Sequence, residues 1–111
     1  MPTINIYFQN DNYASDLEAL TNELKIFVAD KLTCGDRKLN SNEISVRLLQ
    51  SGGKGMLAKV ELEITAAPYK ERVEKQDQIC LDVRQFILEH VENLDDAQVW
   101  LSLNELGHSQ E

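Results

Sequence analysis

The hydrophobic period of this chain switches from two to 3.6 and back, and then does so again; that order constrains the fold more than any other feature. Ile4, Ile6 and Phe8 alternate with Thr3, Asn5 and Tyr7, the pattern of a half-buried strand. Leu17, Leu20, Leu24, Phe27, Val28 and Leu32 then recur at helical spacing, one apolar stripe over about four turns. Ser15-Asp16-Leu17-Glu18 reads as a capping box at the start of that helix, and Gly35 as its stop. Ile44, Val46 and Leu48 alternate again as a second strand. A third alternating run (Ala58, Val60, Leu62 and Ile64) opens the next round. After Pro68 a second helical stripe runs through Val73, Gln76, Ile79, Cys80, Val83, Phe86, Ile87 and Val91, and Val99, Leu101 and Leu103 mark a fourth strand. The element order is β-α-β-β-α-β.

No linker interrupts this order, so residues 1–106 are expected to form a single domain of two βαβ units, about 2–49 and 57–106, with 107–111 as a loose tail. Each unit should be right-handed with its two strands parallel. The expected class is α+β: a two-layer sandwich, with a four-stranded mixed sheet and two helices on one face. That arrangement buries the even-numbered residues of the first three strands and the odd-numbered ones of the fourth. The other face would carry Asn5, Tyr7, Ser45, Arg47, Leu49, Lys59, Glu61, Glu63, Trp100, Ser102 and Asn104, too apolar in places for water and too charged for a dry core. Such a face suits an interface between subunits, from which a 111-residue domain with a one-sided core gains. Ser51-Gly52-Gly53-Lys54-Gly55 lacks phosphate-loop spacing and reads as a hairpin connection.

Composition excludes several function classes. A net charge of −8 argues against nucleic-acid and anionic-membrane partners, which require a basic face. No apolar run approaches the roughly 20 residues of a membrane span, and no signal-peptide pattern opens the chain, so a cytoplasmic protein is expected. Cys34 and Cys80 lack metal-ligand spacing and read as reduced thiols. No Ser-His-Asp set or metal cluster is visible. His90 sits where a histidine complements a helix C-terminus, His108 falls in the tail, and Glu61 and Glu63 share a solvated strand face.

Chemistry enters at the other end of the chain. Met1 before a small second residue is normally removed, leaving Pro2 as the amino terminus. A terminal proline is a secondary amine on a rigid ring, able to act as base or nucleophile, and the strand that follows at once would hold it in place. Proline also simply suits the first position of a strand.

Four stretches resemble the tautomerase superfamily, and within it 5-carboxymethyl-2-hydroxymuconate isomerases: the Met1–Phe8 start, the Asn12–Leu20 run into the first helix, the Val60–Ile64 strand, and Leu103-Asn104-Glu105-Leu106. The resemblance implies a sandwich of tautomerase type, assembly as a homotrimer, no cofactor, and a place in aromatic-compound breakdown. Pro2 would be the catalytic base acting on a small carboxylate-bearing keto or enol substrate. It also implies that the first and third strands are antiparallel neighbours, which brings Ala66, Ala67 and the start of the second helix beside Pro2. Small alanines leave room for a substrate there, and a helix N-terminus favours an anion. Lys70 is the nearest match to the family's arginine before the second helix, with Arg72 as neighbour. Arg47 is a further candidate cation, for an adjacent subunit's pocket or for pairing with Glu61 or Glu63. The competing reading is a non-catalytic ferredoxin-like binding or regulatory module with the same element order. Parallel neighbouring strands one and two favour the tautomerase arrangement.

Overall fold

The computed structural model describes residues 2–9, 11–33, 38–50 and 58–104. Strand β1 (Thr3–Phe8) lies in the interior of a four-stranded sheet of order β2-β1-β3-β4. It pairs in parallel with β2 (Ser45–Gln50) and antiparallel with β3 (Val60–Ala66), and β3 pairs in parallel with β4 (Ala97–Leu103). Parallel neighbours β1 and β2 are the tautomerase arrangement anticipated above. The Gly-rich stretch and Gly35 fall outside the described residues, as do Cys34, His108 and the tail.

The register fixes which side chains share a face. Ile4, Ile6 and Phe8 face the helices together with Val60, Leu62 and Ile64, and all are buried. On β4 the parity reverses, and Ala97 and Leu101 point inward, as the alternation requires. Helix α1 (Ala14–Leu32) presses Leu17, Leu20, Leu24, Val28 and Leu32 onto this layer. The other helical segment is broken into α2 (Lys70–Glu74) and α3 (Gln76–His90), the latter burying Ile79, Val83 and Ile87. Lys31 and Asp82, 3.3 Å apart, tie α1 to α3 across the top of this layer.

Three local expectations need correction. The capping box does not form: α1 begins at Ala14, Tyr13 occupies the N-cap without a side-chain cap, and Ser15 is exposed. Tyr13 closes the short 3-10 turn Asp11–Tyr13, and its ring is buried while its hydroxyl donates to the Asn93 carbonyl at 3.4 Å. Anchoring this ring starts the helix early, so packing overrides the cap signal. The second helix is not continuous, because Lys75 leaves helical geometry at φ −105°, ψ 10°. Finally, the buried residue of its first turn is Arg72, while Val73 is half-exposed at 51%.

At the far end of α1, Thr33 performs the stop. Its backbone N–H and its hydroxyl both donate to the Ala29 carbonyl, and its oxygen accepts the Leu39 N–H at 3.2 Å. The chain returning toward β2 is thereby held against the helix. Past α3, Asn93 takes a left-handed φ of 61°, a conformation asparagine tolerates better than most residues. None of the described helices is long and apolar enough to cross a membrane.

Leu62 is fully buried in the interior strand β3, so Leu62→Ala is expected to cost about 2–5 kcal/mol in urea denaturation. Val73→Ala, on the exposed side of α2, should stay within about 0.5 kcal/mol.

Candidate active site

Pro2 is buried at the entrance of β1. Its carbonyl accepts the Ser45 N–H at 3.2 Å, which pins the first residue to the start of β2. Extending the register by one residue places Pro2 between Ile44 on β2 and Ala66 on β3, both buried. Ala66 has no exposed surface, and its carbonyl accepts the Asn104 N–H at 3.1 Å, so the end of β4 closes over the same corner. Glu43, which could have set a negative charge beside Pro2, instead lies in the 3-10 turn Ser41–Glu43 and accepts from the Asn40 amide at 3.4 Å.

After Ala66 the chain leaves the sheet through Ala67, whose carbonyl accepts from the Tyr69 N–H at 3.0 Å and from Arg72 Nη1 at 3.2 Å. Arg72 is only 5% exposed. Its Nε donates to the Leu32 carbonyl at 2.9 Å, at the C-terminal end of α1, and its guanidinium lies 4.6 Å from the centre of the Tyr69 ring. No carboxylate pairs with it among the described residues. The charge is balanced by carbonyl oxygens, by the negative end of α1 and by the ring face. This guanidinium therefore ties the end of α1 to the turn that carries Ala66 and Ala67 past Pro2.

The remaining candidate cations stand elsewhere. Lys70 projects into solvent and lies 4.0 Å from Glu74. Arg47 is exposed on the uncovered face of the sheet, opposite Asn5. It lies three positions beyond Ile44 on β2, about 10 Å at a strand's rise per residue. It pairs with neither Glu61 nor Glu63 among the described residues, because β1 lies between them. Glu63 instead accepts from the Asn5 amide at 3.3 Å. The fold thus sets Pro2 beside Ala66 and ties Arg72 to the Ala67 carbonyl, while Lys70 is exposed beside Glu74 and Arg47 lies three positions along β2. The five-residue α2 supplies only a short helix dipole at this corner.

One feature of the corner was not singled out from the sequence. Ser45, Thr3, Thr65 and Ser102 form a continuous cross-strand row on the uncovered face, next to the level of Pro2. Strand alternation carries the signal, but only the register aligns the four hydroxyls. His90, by contrast, takes no part in this site. Its Nδ1 lies 2.8 Å from the Phe86 carbonyl, its ring stacks on Phe86, and Glu23 is 3.8 Å away. Among the described residues no group of three or more histidine, cysteine or carboxylate side chains is placed to hold a metal ion.

The architecture is that of known tautomerase-type proteins. A macrophage migration inhibitory factor-like protein from Entamoeba histolytica superposes with a TM-score of 0.67 at 11% identity, covering 97% of this chain and 95% of that one. A malonate semialdehyde decarboxylase gives 0.61 at 12% identity, covering 97% and 92%. A member of the cis-3-chloroacrylic acid dehalogenase family gives 0.61 at 9% identity, covering 92% and 74%. No protein-family model and no curated protein sequence matches the chain. At these identities the likeness establishes a fold of tautomerase type, a scaffold that carries several chemistries.

Arg72→Met would remove a donor from the Leu32 carbonyl and one of the two donors from the Ala67 carbonyl, and is expected to lower stability by about 1–3 kcal/mol. Lys70→Met, on an exposed side chain, should change stability by less than about 1 kcal/mol. Parallel urea titrations of the two variants check this difference.

Proposed function

We propose that this protein is a cofactor-independent isomerase of tautomerase type, acting on a small keto or enol acid in the manner of 5-carboxymethyl-2-hydroxymuconate isomerase. Pro2, freed by removal of Met1, is the base. The observation that carries this reading is the placement of Pro2: buried, pinned through its carbonyl to Ser45, and flanked by Ala66 at the end of β3. An amine fixed in this way does not fray as most chain termini do.

The proposed reaction is proton transfer next to a carbonyl. The neutral proline nitrogen removes a proton from carbon, the electron pair moves into a dienolate, and the proton is returned at another carbon. Ala66 and Ala67 shape the space beside the amine. Arg72 places positive charge behind Ala67, where it favours the developing enolate and the substrate carboxylate through the field rather than by direct exposure. Lys70, exposed and 4.0 Å from Glu74, is the further cation this reading assigns to the substrate carboxylate, which would replace Glu74 as its partner. Arg47 enters the reading only through a neighbouring subunit, since its own Pro2 lies too far along the strand. The protein acts as a homotrimer in the cytoplasm, with the uncovered sheet faces turned toward one another.

The competing reading, a non-catalytic binding module on the same scaffold, draws support from the low identity to the superposed enzymes. One chemical fact separates the two. With Met1 attached, the Pro2 nitrogen is an amide and neither basic nor nucleophilic.

Intact-mass measurement of the expressed protein should show loss of Met1, and ketonisation of phenylenolpyruvate should fall about 10²–10⁴-fold in Pro2→Ala, the range for loss of a general base. Retained methionine, or turnover indifferent to Pro2, would overturn the reading and leave the binding module.

A further inference from the structure

The seam between α1 and α3 carries a row of rings that the proposed chemistry does not use. Phe27 of α1 stacks on Phe86 of α3, with ring centres 4.5 Å apart and planes 24° from parallel. Phe86 stacks in turn on His90 at 4.1 Å and 25°. Lys31 closes one end of the row, its ammonium 5.2 Å from the centre of the Phe27 ring and 3.3 Å from Asp82. His90, the last residue of α3, closes the other.

Both nitrogens of the His90 ring face acceptors. Nδ1 lies 2.8 Å from the Phe86 carbonyl, and Nε2 lies 3.8 Å from Glu23 Oε2 on α1. A neutral imidazole carries a single N–H. With that hydrogen on Nδ1, the Nε2 lone pair is turned toward a carboxylate. With it on Nε2, the Nδ1 lone pair is turned toward a carbonyl oxygen. Only the imidazolium donates in both directions.

The surrounding charges favour the same form. A cavity of about 220 Å³ beside the ring is lined otherwise by Asp16, Ala19, Leu20 and Glu23, which bring two carboxylates and no cation. The neighbouring residue on α3 is Glu89, whose carboxylate accepts from Gln85 at 2.9 Å, and Glu92 follows in the turn beyond. The negative end of α3 and the face of the Phe86 ring also attract a positive charge here.

We propose that His90 is a proton-operated clamp between the last turn of α3 and α1. Protonated, it bridges the Phe86 carbonyl and Glu23 and lies as a cation on the Phe86 ring. Neutral, it gives up one of the two contacts. The hold on this end of α3 then rests on the Phe27–Phe86 stack and on the Tyr13 hydroxyl, whose hydrogen bond to the Asn93 carbonyl is a long 3.4 Å. The corner fastens in acid and loosens as pH rises through the range in which histidine titrates, about 5 to 8. An ordinary carboxylate is already charged at pH 5.5, so the histidine is the group that switches. The clamp is independent of the chemistry proposed for Pro2.

Thermal unfolding and amide hydrogen exchange at pH 5.5 and pH 8.0 test it, at one protein concentration and with exchange corrected for its intrinsic pH dependence. Between the two pH values the wild-type melting temperature should fall by about 2–6 °C more than that of His90→Gln, the size expected for a partly exposed ionic contact in a small domain. Glu23→Gln should fall between the two. His108→Gln, which removes the other histidine of the chain, should behave as wild type. Protection of the amides from Phe86 to Val91 should be higher at pH 5.5 in wild type and lose that pH dependence in His90→Gln. The same pH dependence in wild type and His90→Gln overturns the clamp, as does one that disappears in His108→Gln instead. A pH dependence abolished by His90→Gln but untouched by Glu23→Gln also overturns it, because the charge then acts within α3 alone.

Discussion

Everything near the proposed chemistry depends on β1 being an interior strand. Each residue from Thr3 to Phe8 has a partner on β2 and another on β3, so the first strand of the chain is held from both sides. An edge position would have left the start of the chain with one neighbour and an open flank. The parallel crossover that puts β2 beside β1 and the antiparallel return of β3 thus do more than close a core. They bring the beginning of β2 and the end of β3 to one point, and Pro2 occupies it. Because the side-chain period is two, the same register sends Ile4, Ile6 and Phe8 to the helices and aligns the hydroxyls of Ser45, Thr3, Thr65 and Ser102 on the opposite face.

Arg72 connects that corner to the helical layer. A buried guanidinium without a carboxylate is unusual, because desolvation of the charge must be offset locally. Here the offset comes from the Leu32 and Ala67 carbonyls and from the Tyr69 ring. One side chain thereby satisfies backbone oxygen at the end of α1 and fixes the exit from β3. Its stem also fills the position that an apolar residue would otherwise take on α2. If the corner binds an enolate, the charge that fixes its geometry also lies on the right side to stabilise the anion.

Much of this was legible in the sequence because it follows from period. The alternations at Ile4–Phe8 and Val60–Ile64 identify both interior strands, and the reversal of parity at Val99, Leu101 and Leu103 identifies the last one. What was not legible depends on contacts between distant residues. Ser15 and Glu18 carry a capping-box signature, yet Tyr13 reaching Asn93 across 80 positions starts the helix earlier. Val73 fits an apolar stripe by its chemistry, but Arg72 is buried because carbonyls from α1 and from the β3 exit meet there. No local pattern encodes that meeting. The alanines beside Pro2 could be placed only through strand order, and strand order came from the resemblance rather than from periodicity alone.

The uncovered face follows from the same economy. Two helical layers would be needed to bury a four-stranded sheet on both sides, and the described residues supply one. The outer residues reflect the compromise. Asn5 and Glu63 satisfy each other in part, yet the Asn5 Oδ1 is buried without a partner among the described residues. Arg47 and Trp100 sit at opposite ends of the same row, paired inward with Asn5 and Glu63 and with no strand beyond either of them among the described residues. A fully solvated face would bury no acceptor, and a finished core would hold no free guanidinium.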